Sequence, residues 1–466
     1  MFTVETVARL SEGVVFAGNP KQEIPDHAQV VIDSRKVKQD DLFVALVGEH
    51  HDAHRFIPQA LANGAGAVMM SDPEAVQVVG PSTGVVLVGD TLDSLQHLAS
   101  GYRAEMGVKV AAITGSCGKT TTKEMARRIL TKYAPGHATR GNFNNHIGLP
   151  LTLLGIRPQH QWCVAEMGVN HPGEMAVLTG IAQPDVGLVT NVGDAHLAGL
   201  ENREGVAREK GVLFTHVAKS GGTLVVNMDD PLVRAEAARY PDADRITFSS
   251  SADTEADVVV RPIANDRVRV RLADTIESEF SFFSTAPHQL SNAAAAAALS
   301  HSFGVKLDII ADSLSTFTPP AMRGRELSTP SGAHIVDDSY NANPDSMRAA
   351  IGSLAAATPG GRRIAVLGDM LELGDATAEL HRKLGEMVAG TGIDRLICVG
   401  RLARHIADGA STLSDVRTAD NQVDAASHLT DLAKGDLVLF KASRSMGLDL
   451  LVRRLSGDAD DTERVA

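Results

Sequence analysis

A glycine-rich turn between a β-type run and a helical run constrains the fold more than any other feature of the chain. The run VKVAAIT is apolar and β-branched, the run TTTKEMARRILTKY is typical of a helix, and GSCGK (residues 115–119) joins them. Glycines let backbone N–H groups approach an anion closely, and a helix N-terminus favours negative charge. The order strand, glycine loop, helix therefore predicts a phosphate-binding loop, although Ile113 occupies the first glycine position of the strict pattern.

Each residue of such a loop has an expected task. Lys119 would reach the β- and γ-phosphates, and the Thr120 hydroxyl would bind Mg²⁺. The residues expected to cradle a nucleotide's phosphates are Thr114, Gly115, Ser116, Cys117, Gly118, Lys119, Thr120 and Thr121. The alternative is a chance glycine turn before a helix, which the strand-to-helix context disfavours.

Two further polar residues follow predicted strands. Glu166 ends the run WCVAEM, and His196 follows VGLVTNV in the motif NVGDAH. Because parallel strands present ligands at their carboxyl ends, both are candidate metal ligands. Alternatively, Glu166 is a hydrogen-bonding residue and His196 a structural histidine. A phosphate loop by itself leaves GTPase, kinase, motor and ligase open.

Length and pattern predict several α/β domains. The chain has 466 residues, and about 150 residues per domain gives about three domains. Strand-like and helical runs alternate throughout, which predicts the α/β class. We expect an N-terminal α/β domain over 1–88, a central P-loop ATPase-like domain with a mainly parallel sheet over 89–318, and a C-terminal Rossmann-like α/β domain over 319–466. The paired prolines of TFTPPAMRGRE cannot continue a helix and mark the second boundary.

Three local patterns refine this organisation. VVVRPI and RVRVRL predict added antiparallel strands. SNAAAAAALSHSF predicts a tightly packed helix preceded by Ser291. The tail SGDADDTERVA (residues 456–466) predicts disorder.

Composition excludes several classes of protein. With 44% hydrophobic and 22% charged residues and no apolar run of bilayer length, the chain carries no predicted membrane span. The start MFTVETVARLSEG lacks a secretory apolar core, so we expect a cytoplasmic protein, and we expect a monomer. A net charge of -13 opposes nonspecific nucleic-acid binding. Cys117, Cys163 and Cys398 are far apart, which favours reduced thiols over a disulfide framework or a zinc site.

Nine motifs in order resemble the Mur ligase family over essentially the whole chain: TGSCGKTT, GNFNNHIGLPLTLL, AEMG, NVGDAHL, REKGVLF, HQLSN, MRGRE, DDSYNANP and GDMLELG. Within the family, VIDSRKVKQDDLFVAL, DDSYNANPDSM and GDMLELGDATAELH are most similar to members that add D-alanyl-D-alanine to UDP-N-acetylmuramoyl-tripeptide. Members that add the third residue are an alternative, but their D-N-P-R type motif is not found. Folylpolyglutamate synthases share the core but usually begin near the phosphate loop. A nonenzymatic nucleotide-dependent switch is the alternative of another class.

The resemblance implies an ATP-dependent ligase of peptidoglycan-precursor synthesis that works through an acyl phosphate. The first domain would hold the UDP end of the precursor, the second ATP, and the third the incoming amine. Thr120 and Glu166 would hold one Mg²⁺, and His196 would help to hold a second. Lys210 in REKGVLF matches a lysine that the family carbamylates and would then act as a metal ligand, although Val212 stands where relatives often carry glutamate. Without the resemblance, Lys210 would be an ordinary exposed helix lysine.

The resemblance also implies residues for each substrate. Asn292 would bind adenine, Arg325 would reach ATP, and Asp338 would contact the ribose. Residues expected at the UDP-N-acetylmuramoyl-tripeptide and the dipeptide are Ser34 and Arg35 for uridine, Asn142 and Asn145 for the sugar or lactoyl part, and Asn341 and Asn343 for D-alanyl-D-alanine. The expected catalytic residues are Lys119, His196, Lys210 and Arg325. Each has a simpler alternative, namely a helix cap, a solvated charge or a loop residue.

Overall fold

In the part of the chain that the structure describes, there are three separate β-sheets, each covered by helices. The computed structural model describes residues 2–49, 51–264, 266–272 and 276–457. The predicted α/β class is confirmed. No helix among the described residues is long and apolar enough to cross a membrane.

The first sheet has five strands in the order β1-β5-β4-β3-β2. Only β1 is antiparallel to its neighbour. The strands are β1 (Val14–Ala17), β2 (Val30–Val31), β3 (Leu42–Val44), β4 (Ala67–Met70) and β5 (Gly84–Leu87). The helices are α1 (Val4–Leu10), α2 (Ile57–Ala62) and α3 (Thr91–Met106). Buried residues of α1, β3, β4 and α3 form one continuous core with one face of the second sheet, so the first two units share apolar packing.

The second sheet has nine strands in the order β14-β13-β12-β11-β10-β9-β6-β8-β7. Its strands are β6 (Lys109–Thr114), β7 (Gly136–Ala138), β8 (Trp162–Glu166), β9 (Val186–Val189), β10 (Thr223–Asn227), β11 (Arg245–Ser249), β12 (Val258–Ala264), β13 (Arg267–Leu272) and β14 (Ile276–Ser281). Strands β6 to β12 pair with one another in parallel. VVVRPI forms β12 and RVRVRL forms β13, and these two strands are antiparallel to each other, so the predicted antiparallel pairing is confirmed there. The further antiparallel strand β14 was not predicted.

Helices cover both faces of this sheet. They are α4 (Lys119–Tyr133), α5 (Gly148–Leu154), α6 (Glu174–Ala182), α7 (Leu197–Leu200), α8 (Arg203–Lys219), α9 (Pro231–Ala238), α10 (Pro287–His301) and α11 (Leu307–Ser315). The predicted start of the alanine-rich helix was wrong: α10 begins at Pro287, so Ser291 and Asn292 lie inside it. Proline suits the first helical position because its fixed φ is helical and its missing N–H is not needed there.

The third sheet has six strands in the order β15-β16-β20-β17-β18-β19, and only β15 is antiparallel. The strands are β15 (Arg325–Ser328), β16 (His334–Asp337), β17 (Arg363–Gly368), β18 (Arg395–Val399), β19 (Val416–Ala419) and β20 (Leu437–Lys441). The helices are α12 (Pro344–Ala356), α13 (Thr377–Ala389), α14 (Arg404–Gly409), α15 (Gln422–Ser427) and α16 (Leu448–Ser456). Most of the tail predicted to be disordered, residues 458–466, lies outside the described residues.

Candidate active site

The glycine loop has the backbone that a phosphate cradle needs. Gly115 has φ 147° and Gly118 has φ 81°, and α4 begins at the next residue, Lys119. A Cβ on Gly115 would lie 1.8 Å from Thr190 Oγ1, and one on Gly118 would lie 2.2 Å from Asn292 Oδ1. Glycine is therefore required at both positions, for conformation and for space.

A neighbouring loop, the NVGDAH motif after β9, holds the cradle in place. Cys117 N donates to Asn191 Oδ1 at 2.9 Å, and Ser116 N donates to Asn191 O at 3.0 Å. Thr190 Oγ1 donates to Cys117 O at 2.6 Å. These contacts fix the loop before any ligand binds, which reduces the entropy cost of binding.

Lys119 lies at the start of α4 and folds back onto the loop. Its Nζ donates to Gly115 O at 2.7 Å. Desolvation by burial lowers the pKa of this ammonium, while the Glu166 carboxylate raises it. The strand-to-helix turn thus holds one cation in the cradle.

The structure brings together two predicted magnesium ligands. Thr120 Oγ1, in the first turn of α4, donates to Glu166 Oε1 at the end of β8, at 3.2 Å. Asn144 Nδ2, from the GNFNN loop, donates to the same carboxylate oxygen at 2.9 Å. Glu166 is 2% exposed; its Oε2 has no hydrogen-bond partner among the described residues and lies 3.9 Å from the Lys123 ammonium. A hydroxyl and a carboxylate are oxygen donors of the kind Mg²⁺ prefers, so the residues fit one such ion.

Lys210 and His196 do not contact this pair directly. Lys210 is 1% exposed, and its Nζ lacks a hydrogen-bond partner within the described part of the chain. Burial, with the nearby Lys119 charge, lowers the pKa of Lys210 to about 7. His196 Nδ1 lies 2.6 Å from Glu372 Oε2 of the C-terminal domain. Among the described residues no cluster of three His, Cys, Asp or Glu is arranged to hold a metal.

The C-terminal domain meets the loop edge through a charged network. Asp345 Oδ2 accepts from Asp194 N at 2.6 Å, and Asp345 Oδ1 accepts from Arg203 Nη2 at 2.8 Å. Arg203 Nε donates to Asp194 Oδ1 at 2.7 Å, and Arg348 pairs with Asp345. The start of α12 is thereby fastened to the NVGDAH loop.

Asn343, predicted to meet the dipeptide, lies against the phosphate loop. Its Oδ1 caps α12 by accepting from Ser346 N at 2.8 Å, and Cys117 Sγ donates to the same oxygen at 3.2 Å. The carbonyl of Asn341 accepts from Lys441 Nζ at 3.1 Å. The first residues of α12 and the phosphate loop therefore face each other.

Residues expected at the nucleoside lie along the same gap. Asp338 accepts from Lys441 Nζ at 2.6 Å and lines a cleft of about 740 Å³ that His288 and Gln289 also line. Asn292 is buried inside α10 and donates to Gln289 Oε1 at 3.3 Å. This cleft separates the second sheet unit from the third.

Two arginines of the MRGRE motif, Arg323 and Arg325, lie in different surroundings. Arg325 begins β15, pairs with Asp337 across the strands and is exposed. Arg323, two residues earlier, donates to Thr120 Oγ1 at 3.1 Å.

The remaining predicted residues lie in local turns. Ser34 Oγ donates to Gln59 Oε1 at 2.7 Å, whereas exposed Arg35 donates to Asp33 at 2.8 and 2.9 Å. This hydrogen bond from Arg35 lowers the pKa of Asp33. Asn142 is exposed, and Asn145 Oδ1 accepts from Gly148 N at 2.8 Å at the start of α5.

Several residues of this site were not predicted as functional from the sequence. They are Asn144, Asn191, Asp194, Arg203, Arg323, Asp345, Glu372 and Lys441. All but Arg203 and Lys441 stand inside or beside motifs quoted above. Those motifs were the available signal, but they do not show which side chain turns inward.

Comparison with known proteins covers all three sheets. Residues 27–103 match the "Mur ligase family, catalytic domain", 113–300 the "Mur ligase middle domain" and 322–444 the "Mur ligase, glutamate ligase domain". The UDP-N-acetylmuramoyl-tripeptide–D-alanyl-D-alanine ligase of Bacillus subtilis is 36% identical over 97% of this chain and 98% of its own. The Escherichia coli protein of that name is 34% identical over 91% of this chain and 93% of its own.

Two solved structures are similar to this chain over nearly its whole length. A crystal structure of MurF from Acinetobacter baumannii superposes with a TM-score of 0.84 at 30% identity and covers 98% of this chain and 99% of its own. MurF ligase from Thermotoga maritima in complex with ADP gives 0.79 at 29% identity over 93% and 98%. With the ordered cradle and strand-end carboxylate, these similarities over nearly full length show that the chain belongs to the Mur ligase family.

Proposed function

We propose that this chain is the ATP-dependent ligase that joins D-alanyl-D-alanine to UDP-N-acetylmuramoyl-tripeptide, giving UDP-N-acetylmuramoyl-pentapeptide, ADP and phosphate. The observation that carries the ATP-dependent step is the preformed cradle of Gly115 to Lys119 beside the Thr120–Glu166 pair. The curated relatives at 30% identity or more that match nearly the full length carry this activity in their names. The structural likeness to the ligase that adds diaminopimelate has 16% identity and supports the fold alone.

The chemistry requires activation because a carboxylate has no usable leaving group. Transfer of the ATP γ-phosphate to the tripeptide carboxylate makes an acyl phosphate, and attack by the dipeptide amine then releases phosphate. Lys119 and the loop N–H groups would hold and neutralise the phosphates during transfer, which depends on positioning and charge. The fastening of α12 to the NVGDAH loop would bring the amine-binding part onto the loop and exclude water, which would otherwise hydrolyse the acyl phosphate.

Mg²⁺ would be held by Thr120 and Glu166, with Asn144 orienting the carboxylate. When bound, the ion neutralises phosphate charge. A second ion near His196 is part of the proposal. That ion would need a further, anionic ligand.

Carbamylation of Lys210 would supply that ligand. The side chain is buried, and its amine has no hydrogen-bond partner among the described residues. Burial of such a polar group costs free energy unless a bound or attached group provides a partner. CO₂ reacts with a neutral amine, and the lowered pKa of about 7 makes the neutral form abundant. The carbamate carries negative charge where the lysine carried positive charge.

Lys210→Ala is expected to lose at least about a hundredfold in kcat, because the anionic ligand is lost. Short carboxylates such as acetate are expected to restore part of this activity. Phosphate release with and without acetate measures the effect. Activity of the alanine variant equal to that of the unchanged enzyme would exclude the carbamate role.

We assign residues 1–88 to the UDP end, 89–318 to ATP and 319–466 to the dipeptide, with Ser34, Arg35, Asn142 and Asn145 on the precursor. The cleft lined by Asp338 and His288 would take the nucleoside, next to Asn292. Because the substrates are a nucleoside triphosphate and a UDP-linked precursor, we place the reaction in the cytoplasm. Our proposal also describes the enzyme as a monomer.

The test is an omission assay with ATP, Mg²⁺, UDP-N-acetylmuramoyl-tripeptide and D-alanyl-D-alanine, read by phosphate release and product mass. The pentapeptide precursor is expected only when all components are present. Free diaminopimelate with the dipeptide precursor is the parallel reaction and is expected to give no product. Phosphate release that is independent of both peptide substrates would contradict the proposal.

A further inference from the structure

Lys123, one turn after Thr120 on α4, is buried beside the candidate magnesium ligand Glu166. Only 1% of this lysine is exposed. Its Nζ donates to Thr139 O at 2.7 Å and lies 3.0 Å from Glu124 Oε1. Burial of an ammonium costs free energy, and lysines are almost never fully buried without a partner. Neither phosphate binding by the loop nor phosphoryl transfer uses this cation, so its position requires another explanation.

The two carboxylate oxygens of Glu166 have different surroundings. Oε1 accepts from Thr120 Oγ1 at 3.2 Å and from Asn144 Nδ2 at 2.9 Å. Oε2 is buried, has no hydrogen-bond partner in the part of the chain that the structure describes, and lies 3.9 Å from Lys123 Nζ. Glu166 N donates to Thr139 Oγ1 at 3.0 Å, so the same threonine holds the lysine and the glutamate. The ammonium therefore lies on the Oε2 side of the carboxylate, and the Thr120 hydroxyl lies on the Oε1 side.

A cation fixed beside one oxygen limits how the carboxylate can coordinate a metal ion. An ion that used both oxygens of Glu166 would have to approach Oε2 and the Lys123 ammonium, and like charges repel strongly in a buried site. An ion on Oε1 alone avoids this approach. Ca²⁺ accepts about six to eight oxygens and readily takes both oxygens of one carboxylate, whereas Mg²⁺ demands nearly octahedral geometry. Coordination through one oxygen therefore suits Mg²⁺ and disfavours Ca²⁺.

The charge of Lys123 is not cancelled by its neighbour Glu124. The other oxygen of Glu124 accepts from Arg127 Nε at 2.7 Å, so two cations share this carboxylate. The group of four charges is balanced only when Glu166 is included. Lys123 thus acts as a cation toward Glu166.

We propose that Lys123 is a positioning residue that restricts Glu166 to metal coordination through one oxygen and thereby favours Mg²⁺ over Ca²⁺ in the nucleotide complex. This inference rests on the proposed function, in which Thr120 and Glu166 hold a divalent ion beside the nucleotide. It adds a residue behind the metal ligand that selects the ion. The alternative is that Lys123 only ties α4 to Thr139 and has no influence on the choice of metal.

The test is competition of Mg²⁺ and Ca²⁺ with Mn²⁺ on the ADP complex of the full chain, with protein in excess over ADP. Electron paramagnetic resonance of free Mn²⁺ gives the affinities. Lys123→Met keeps the length of the side chain without its charge, and Lys123→Gln keeps a donor for Thr139 O. In both variants the ratio of Ca²⁺ affinity to Mg²⁺ affinity is expected to rise at least about tenfold, a common effect of residues behind a metal ligand.

Arg127→Ala is the matched control. It removes one positive charge from the same helix and the same charged group, but Arg127 pairs with Glu124 and not with Glu166, so the affinity ratio should stay unchanged. Equal changes in the affinities for both ions in the two Lys123 variants, or no change, would overturn the inference. Failure of the unchanged protein to bind ADP would instead refute the proposed function.

A crystal structure of the unchanged protein with ADP and Ca²⁺ tests the coordination without any substitution. Glu166 is expected to bind the ion through Oε1 alone, with Lys123 still donating to Thr139 O. Coordination through both oxygens would overturn the selective role of Lys123. A bound ion that does not contact Glu166 would refute the assignment of this residue as a metal ligand, and the inference with it.

Discussion

Lys119→Ala is expected to lower kcat for phosphate release by about a thousandfold or more. The ammonium is held inside the cradle by Gly115 O, where it would neutralise charge as the γ-phosphoryl group leaves. Low-dielectric surroundings make each such interaction stronger than in water. The measurement is steady-state phosphate release at saturating ATP.

Stability separates this effect from misfolding. Because burial disfavours the Lys119 cation, its removal should not lower the melting temperature. Lys132→Ala is the control: this lysine lies in the last turn of the same helix, is 38% exposed and pairs with Asp312, so activity should stay unchanged. Retention of a tenth of the normal rate by Lys119→Ala would contradict the assigned role.

Gly118→Ala is expected to reduce kcat/KM for ATP by about a hundredfold. A side chain disfavours the left-handed backbone by about 1–2 kcal/mol. The new Cβ would also lie 2.2 Å from Asn292 Oδ1, so the loop must move. ADP calorimetry and steady-state kinetics with varied ATP measure the loss.

Gly221→Ala separates collision from backbone strain. Gly221 has φ 74°, close to that of Gly118, but a Cβ added there would meet no atom of the described residues within 4 Å. The control should lose about 1 kcal/mol of unfolding free energy and keep its nucleotide affinity. Normal ADP binding by Gly118→Ala would contradict the assignment of this loop as the phosphate site.

The loop and the parallel strands were predictable because their signals are local. The strand VKVAAIT is buried on both faces of the central sheet. A strand of this kind is a nearly continuous apolar run without alternating polar residues, which makes it easy to recognise in the sequence. The order of strand, glycines and helix placed Lys119 and Thr120. Glu166 followed from the rule that parallel strands end at a common edge, and its contact with Thr120 agrees with that rule.

Contacts between domains were not predictable in this way. The sequence offers three asparagines in GNFNN, and only the tertiary fold turns Asn144 toward Glu166. Glu372 contacts His196 only because the second and third sheets approach each other. The two residues are far apart in sequence, and the hydrophobic periodicity of a strand or helix does not predict such a contact. Similarly, Ser291 resembled a helix start, but Pro287 began the helix one turn earlier.

The most direct measurement follows oxygen during ligation. UDP-N-acetylmuramoyl-tripeptide labelled with ¹⁸O in its reacting carboxylate is incubated with ATP, Mg²⁺ and D-alanyl-D-alanine, and the phosphate is analysed by mass spectrometry. An acyl phosphate predicts that one labelled oxygen leaves with each phosphate, while the new amide keeps the other. Pentapeptide formed together with unlabelled phosphate would contradict activation of the carboxylate at this loop.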